Sequence, residues 1–154
     1  DETDIEFVPL LPSRNVVACR LNHPLTRDPD PQLRAITEYG WVAPPTNSPL
    51  DLDLRATMRM IDAGAARVRF RSPTSAGIRS YLENTDCLAV LPESVVAAMA
   101  RHHDVTTLGL ALPGPTRTVG MASLIGHEQT LLVKRIRAHF KDRFQALAAE
   151  RNVP

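Results

Sequence analysis

The stretch Arg67-Val68-Arg69-Phe70-Arg71-Ser72-Pro73-Thr74-Ser75-Ala76-Gly77-Ile78-Arg79-Ser80-Tyr81-Leu82-Glu83-Asn84-Thr85-Asp86-Cys87-Leu88-Ala89-Val90-Leu91 decides the fold. Its first five residues read as a strand, and a serine-proline turn follows. Ile78, Tyr81 and Leu82 then recur at helical spacing over about Pro73 to Asn84. The closing run, Cys87 to Leu91, is apolar and short, which predicts a buried strand. Strand, helix and strand in this order form one unit of an α/β fold.

The same alternation extends in both directions. Upstream, strands are predicted over Ile5 to Leu10, Asn15 to Arg20 and Trp41 to Ala43. A helix follows from Pro49 to Ala63 and ends at Gly64, with Leu50, Leu54, Met58 and Ile61 on one face. Downstream, a helix over Glu93 to His102 turns Val95, Val96 and Met99 inward, and strands follow at Val105 to Leu112 and Thr118 to Ile125. The longest helix comes after Gly126 and carries Leu132, Ile136, Phe140, Phe144 and Leu147 along an apolar stripe. Prolines in 28–31 and 113–115 interrupt regular structure because proline fixes φ and lacks a donor; the second group marks a crossing between domains.

Composition narrows the function. The chain has 154 residues and 44% hydrophobic content, enough for one packed core. Eighteen basic residues face seventeen acidic ones, so no strong overall field attracts nucleic acid or anionic lipid. Cys19 and Cys87 fall inside predicted strands and make no disulfide framework, which fits a reducing cytoplasm. No apolar run is long enough for a membrane span, and residues 1–4 are acidic, unlike a signal peptide. Phosphate-cradling and nucleophile motifs are absent, so no enzyme activity, catalytic residue or cofactor is indicated.

Two helix starts stand out. Ser48-Pro49 and Ser72-Pro73 each place serine at the N-cap and proline at the first helical position. Each follows a predicted strand, which brings both helix N-termini to the carboxyl edge of one sheet, where open α/β folds bind ligands. Free amides and the positive dipole end there suit a small anion, with Ser72, Thr74 and Ser75 adding hydroxyls; ordinary capping is the alternative reading. His102-His103-Asp104 reads as a helix C-terminal cap, since it lacks metal-ligand spacing. His127 and His139 lie on different helical turns, and the basic residues from Lys134 to Arg143 read as a solvated face.

Several segments in order resemble the regulatory domain of LysR-type transcriptional regulators. Residues 16–25, ending Arg20-Leu21-Asn22-His23-Pro24-Leu25, resemble the strand and R-x-x-H-P-L turn of that family. Tyr39 to Pro45 is similar to its W-x-x-P-P strand, Arg69 to Tyr81 to the segment leading to the effector pocket, and Leu88 to Val95 to its L-P-x-x-V stretch. Thr85 and Cys87 stand where many members carry glycine.

The resemblance implies a two-lobe periplasmic-binding-protein-like α/β fold, with the second lobe complete and the first partial. Residues 1–15 would end the first pass through lobe one, 16–112 would form effector-binding lobe two, and 113–154 would return through lobe one. A small, anionic effector is expected in the interlobe cleft, at Ser48, Ser72, Thr74 and Ser75, with Pro45 and Pro73 shaping the wall and no metal. Further implications are pairing between regulatory domains and DNA binding only through an absent N-terminal helix-turn-helix. A transporter's solute-binding protein is the nearest alternative and a small α/β enzyme the more distant one.

Overall fold

The computed structural model describes residues 4–112, 117–126 and 130–151, the last five of these by backbone alone. Two compact units result: one from Arg14–Pro115, the other from Asp1–Ser13 with Thr116–Pro154.

The unit over Arg14–Pro115 is built on a sheet. Strands β2 (Asn15–Arg20), β3 (Trp41–Ala43), β4 (Val68–Arg71), β5 (Ala89–Pro92) and β6 (Val105–Thr107) alternate with helices α1 (Pro49–Met60), α2 (Ser75–Glu83) and α3 (Glu93–Ala100). Strand β2 pairs antiparallel with both β5 and β6, while β3 and β4 pair in parallel. A parallel bridge between Trp41 and Leu88, with Val42 N–H donating to Leu88 O at 2.8 Å, joins the two groups.

Alternation along the strands sorts the core onto two faces. Val16, Ala18, Val42, Ala89 and Leu91 pack with Ile78 and Leu82 of α2 and with Val96 and Met99 of α3. Val17, Cys19, Trp41, Ala43, Leu88 and Val90 pack instead with Leu54 and Met58 of α1. Both faces of the sheet are therefore covered at β2, β3 and β5, which is why those strands read as apolar runs, whereas β4, Val68-Arg69-Phe70-Arg71, is largely exposed.

Several boundaries differ from the sequence reading. Helix α1 stops at Met60, not at Ala63 before Gly64. Asp62 takes the left-handed conformation (φ 50°), and the amides of Asp62 and Ala63 bond back to Arg59 O and Met58 O at 3.2 and 3.0 Å. This is a Schellman cap with aspartate where glycine is usual. Helix α3 ends at Ala100, short of His102, and β6 ends at Thr107. One further amide bond, from Leu108 to Val17 O at 2.9 Å, precedes Gly109.

The other unit holds β1 (Ile5–Ser13) antiparallel to β7 (Arg117–Leu124), with α4 (Leu131–Arg151) packed on β1. Strand β1 runs past Leu10 through Pro9 and Pro12, tolerated because a two-stranded ribbon leaves each strand an open edge and the register shifts between Pro9 and Leu11. Arg137 donates to Glu6 at 2.5 Å and to Ser123, so it ties α4 to the ribbon and does not belong to the solvated face. The apolar stripe is open: Leu132 is 65% and Ile136 and Phe140 each 45% exposed. The side chain of Leu147, and all of His127 and the 113–115 crossing, lie outside the described residues.

Candidate functional site

Parallel pairing places the carboxyl ends of β3 and β4 side by side, Ala43 opposite Arg71. Two loops leave this edge, 44–48 toward α1 and 72–74 toward α2, and Ser72 N–H donates to Ala43 O at 3.1 Å. The helices lie on opposite faces of the sheet, yet both begin here. Topology thus brings together the residues singled out from the sequence.

The α1 start matches its reading. Ser48 is the N-cap, Pro49 opens the helix, and the Ser48 hydroxyl accepts from Asp51 N–H at 3.4 Å. Pro45 is exposed and accepts from Ser48 N–H at 3.1 Å, closing the turn.

The α2 start differs. Its N-cap is Thr74, whose Oγ1 accepts from Gly77 N–H at 3.1 Å, and the helix begins at Ser75. Ser72 and Pro73 precede the helix. Ser72 is buried, and its Oγ accepts from Thr74 N–H at 3.2 Å, forming a small serine turn ahead of the cap. Two hydroxyl residues compete for one cap, and the one three residues before Gly77 has the reach. Pro73, Thr74 and Ser75 are exposed. Among the described residues, no protein acceptor engages the N–H groups of Ser75 and Ala76. Thr74 Oγ1 also lies 3.3 Å from Ser72 Oγ, where either hydroxyl can donate, so among the described residues the Ser75 and Ala76 amides and the Ser75 hydroxyl are the open donors at this edge, with the Thr74 hydroxyl beside them.

Asp51 joins the site although its sequence position did not mark it as a site residue. Its carboxylate is 1% exposed and accepts from Asn47 N–H at 3.0 Å, from Arg71 at 2.8 Å and from Arg55. Burial pushes its pKa up, but the bonds from Arg71, the Asn47 amide and Arg55 together outweigh it and hold the carboxyl below its ordinary value of 3.8. Arg71 also donates to Pro44 O at 2.7 Å. The available signal was the Ser48-x-x-Asp51 spacing, a capping-box pattern with aspartate at its acidic position. Asp51 places a carboxylate inside the first turn of α1 that takes up the Asn47 amide, so the α1 start already holds its own acceptor while the Ser75 and Ala76 amides of α2 are open.

The remaining candidates are structural. His103 lies beyond the end of α3 and faces Glu83 of α2 at 3.4 Å, with Arg79 at 3.3 Å from the same ring nitrogen; it bridges helices and does not cap one. His139 is exposed. Among the described residues, no cluster of three or more potential metal ligands exists, and no helix is long and apolar enough to cross a membrane.

A family model, that of the LysR substrate binding domain, matches residues 1–145. The chain belongs to this family. Its mixed α/β architecture is the periplasmic-binding-protein-like fold of LysR substrate-binding domains, of which the chain carries a part. The effector-binding domain of QuiR, solved in complex with shikimate, is similar at TM-score 0.72 and 20% identity, covering 95% of this chain and 68% of that one. The CcmR regulatory domain of Synechocystis PCC6803, solved with 2-PG, gives TM-score 0.76 and 18% identity over 92% of this chain and 67% of that one. HinK, a LysR family regulator from Pseudomonas aeruginosa, gives 0.71 and 17% over 92% of this chain and 50% of that one. No curated protein matches the chain. At these identities the solved LysR structures establish the fold, and this chain's own residues must identify its ligand.

Proposed function

We propose that this chain is the effector-sensing part of a cytoplasmic bacterial LysR-type regulator and that it binds a small organic anion at the carboxyl edge of β3 and β4. One observation carries the reading: the Ser75 and Ala76 amides stand open beside the Thr74 and Ser75 hydroxyls at the start of α2, in a family of substrate-binding domains. Exposed amides with the positive end of a helix dipole attract a carboxylate or phosphate without a dedicated arginine. Ser48 and Ser72 shape the loops from within, and Pro45 and Pro73 form the rim. In this reading Arg14–Pro115 is the effector-binding lobe and the other unit is part of lobe one. The domain senses and does not turn its ligand over; DNA is contacted by a part of the regulator outside this chain, and regulatory domains pair with one another.

The test is calorimetric titration with a panel of small organic acids that includes shikimate and 2-PG, the ligands of the similar domains. Thr74→Val should weaken the best binder by roughly 1.5–3 kcal/mol, one to two decades in Kd, because a donor to a charged partner is lost. Thr74→Ser, which keeps the hydroxyl, should bind as wild type does. Equal affinity in Thr74→Val would remove Thr74 from the site, and cationic ligands alone binding would reject the reading.

A further inference from the structure

The partners of the buried Asp51 carboxylate link the two loops of the carboxyl edge. From the β3–α1 loop comes the amide of Asn47, a residue held in the left-handed conformation at φ 65°. From the end of β4 comes Arg71, which also reaches across to Pro44 O. The third is Arg55, one turn along α1, which also lies 3.4 Å from Asn47 Oδ1. We propose that Asp51 is a positioning residue for effector binding: its charge fixes the loops 44–48 and 72–74 in one arrangement and so sets the start of α2. This inference rests on reading that edge as the effector site.

Placement passes through a chain of short contacts. Arg71 precedes Ser72, so clamping the guanidinium limits where Ser72 can lie. The Ser72 hydroxyl receives Thr74 N–H, and Thr74 in turn caps Gly77. No slack exists at the far end, since a Cβ on Gly77 would come within 2.3 Å of Ser72 Oγ. Asp51 itself is buried and its carboxylate is occupied by Asn47, Arg71 and Arg55, so it acts through these partners. Pairing of this kind contributes little net stability, because desolvating the ions offsets their attraction; its effect is on which arrangement the loops adopt. Loop order that exists before binding need not be gained on binding, and affinity rises accordingly.

The experiment uses the whole chain, 15N-labelled, with inorganic sulfate as the probe anion. Backbone relaxation reports the order of 46–48 and 72–76 without sulfate, and the Ser75 and Ala76 amide shifts report sulfate affinity. Asp51→Asn should lower the order of both loops together and weaken sulfate roughly tenfold, the cost of ordering one or two side chains anew. Arg71→Met, which keeps the stem of a partly exposed side chain, gives the same test should Asp51→Asn fail to fold. Met58→Ala, a cavity under the same helix, should lower Tm without loosening the loops, which separates positioning from general destabilisation. Loops and sulfate affinity unchanged in Asp51→Asn and Arg71→Met would overturn the inference. Loops that loosen in a protein whose Ser75 and Ala76 amides never respond to sulfate would instead overturn the reading of the edge as an anion site.

Discussion

At the scale of single residues, the two thiols were legible and the buried polar groups were not. Cys19 and Cys87 are both buried, on opposite faces of the sheet, so they cannot pair. Burial pushes the Cys19 thiol up to about 12, only partly countered by Arg20, and leaves almost no thiolate at neutral pH. Maleimide should therefore label Cys19 in the native protein far more slowly than in urea; equal rates would contradict the core placement. His23 was visible only as part of a turn motif. Its ring is fully buried, with Nδ1 accepting from Leu25 N–H at 3.1 Å and Nε2 donating to Asp86 O at 3.2 Å. Burial lowers its pKa below 6.5 despite the raising effect of Asp86, so the folded state binds this proton less readily than the unfolded chain. The stability it contributes is complete above that value and is lost as pH falls from 6.5 through the folded pKa. Urea midpoints should decline over that window, and His23→Asn, which keeps an acceptor for Leu25 N–H, should flatten the decline. An unchanged slope would assign it to another group.

At the scale of elements, periodicity located each described α-helix and each of the seven described strands, while their ends were set by local competition that composition does not display. Asp62 took the cap position expected near Gly64, and Thr74 took the cap expected of Ser72. The second change alters what a mutation should do. Because the Thr74 hydroxyl caps α2, Thr74→Val should cost about 1 kcal/mol of stability besides any loss of ligand, so its affinity must be measured well below its Tm. Gly77 is the complementary case. Alanine is ordinarily favoured over glycine in a helix by about 1 kcal/mol, yet here its Cβ would collide with Ser72. Gly77→Ala should therefore lower Tm, and adding Ser72→Gly should recover much of the loss. A Tm raised by Gly77→Ala alone would show that the serine turn yields easily.

At the scale of the whole molecule, the two units differ in how well they cover their apolar surface. The unit over Arg14–Pro115 buries side chains on both faces of its sheet, whereas α4 and the β1–β7 ribbon leave Phe7, Leu124, Leu132, Ile136 and Phe140 exposed. The helical stripe was legible from periodicity, and its exposure was expected only from the resemblance to a family whose first lobe is partial here, because periodicity shows that a face is apolar without showing what covers it. An exposed apolar stripe such as Leu132, Ile136 and Phe140 along α4 favours association. Sedimentation at tens of micromolar should show self-association that Ile136→Glu with Phe140→Glu reduces, and a monomeric wild type would contradict this.

The anion site at the start of α2 can be seen in a crystal structure of the chain with the tightest-binding acid from the panel. The acid group is expected within hydrogen-bond distance of the Ser75 and Ala76 amides and the Thr74 hydroxyl. An acid group bound away from the β3–β4 carboxyl edge, with those amides facing only solvent, would contradict it.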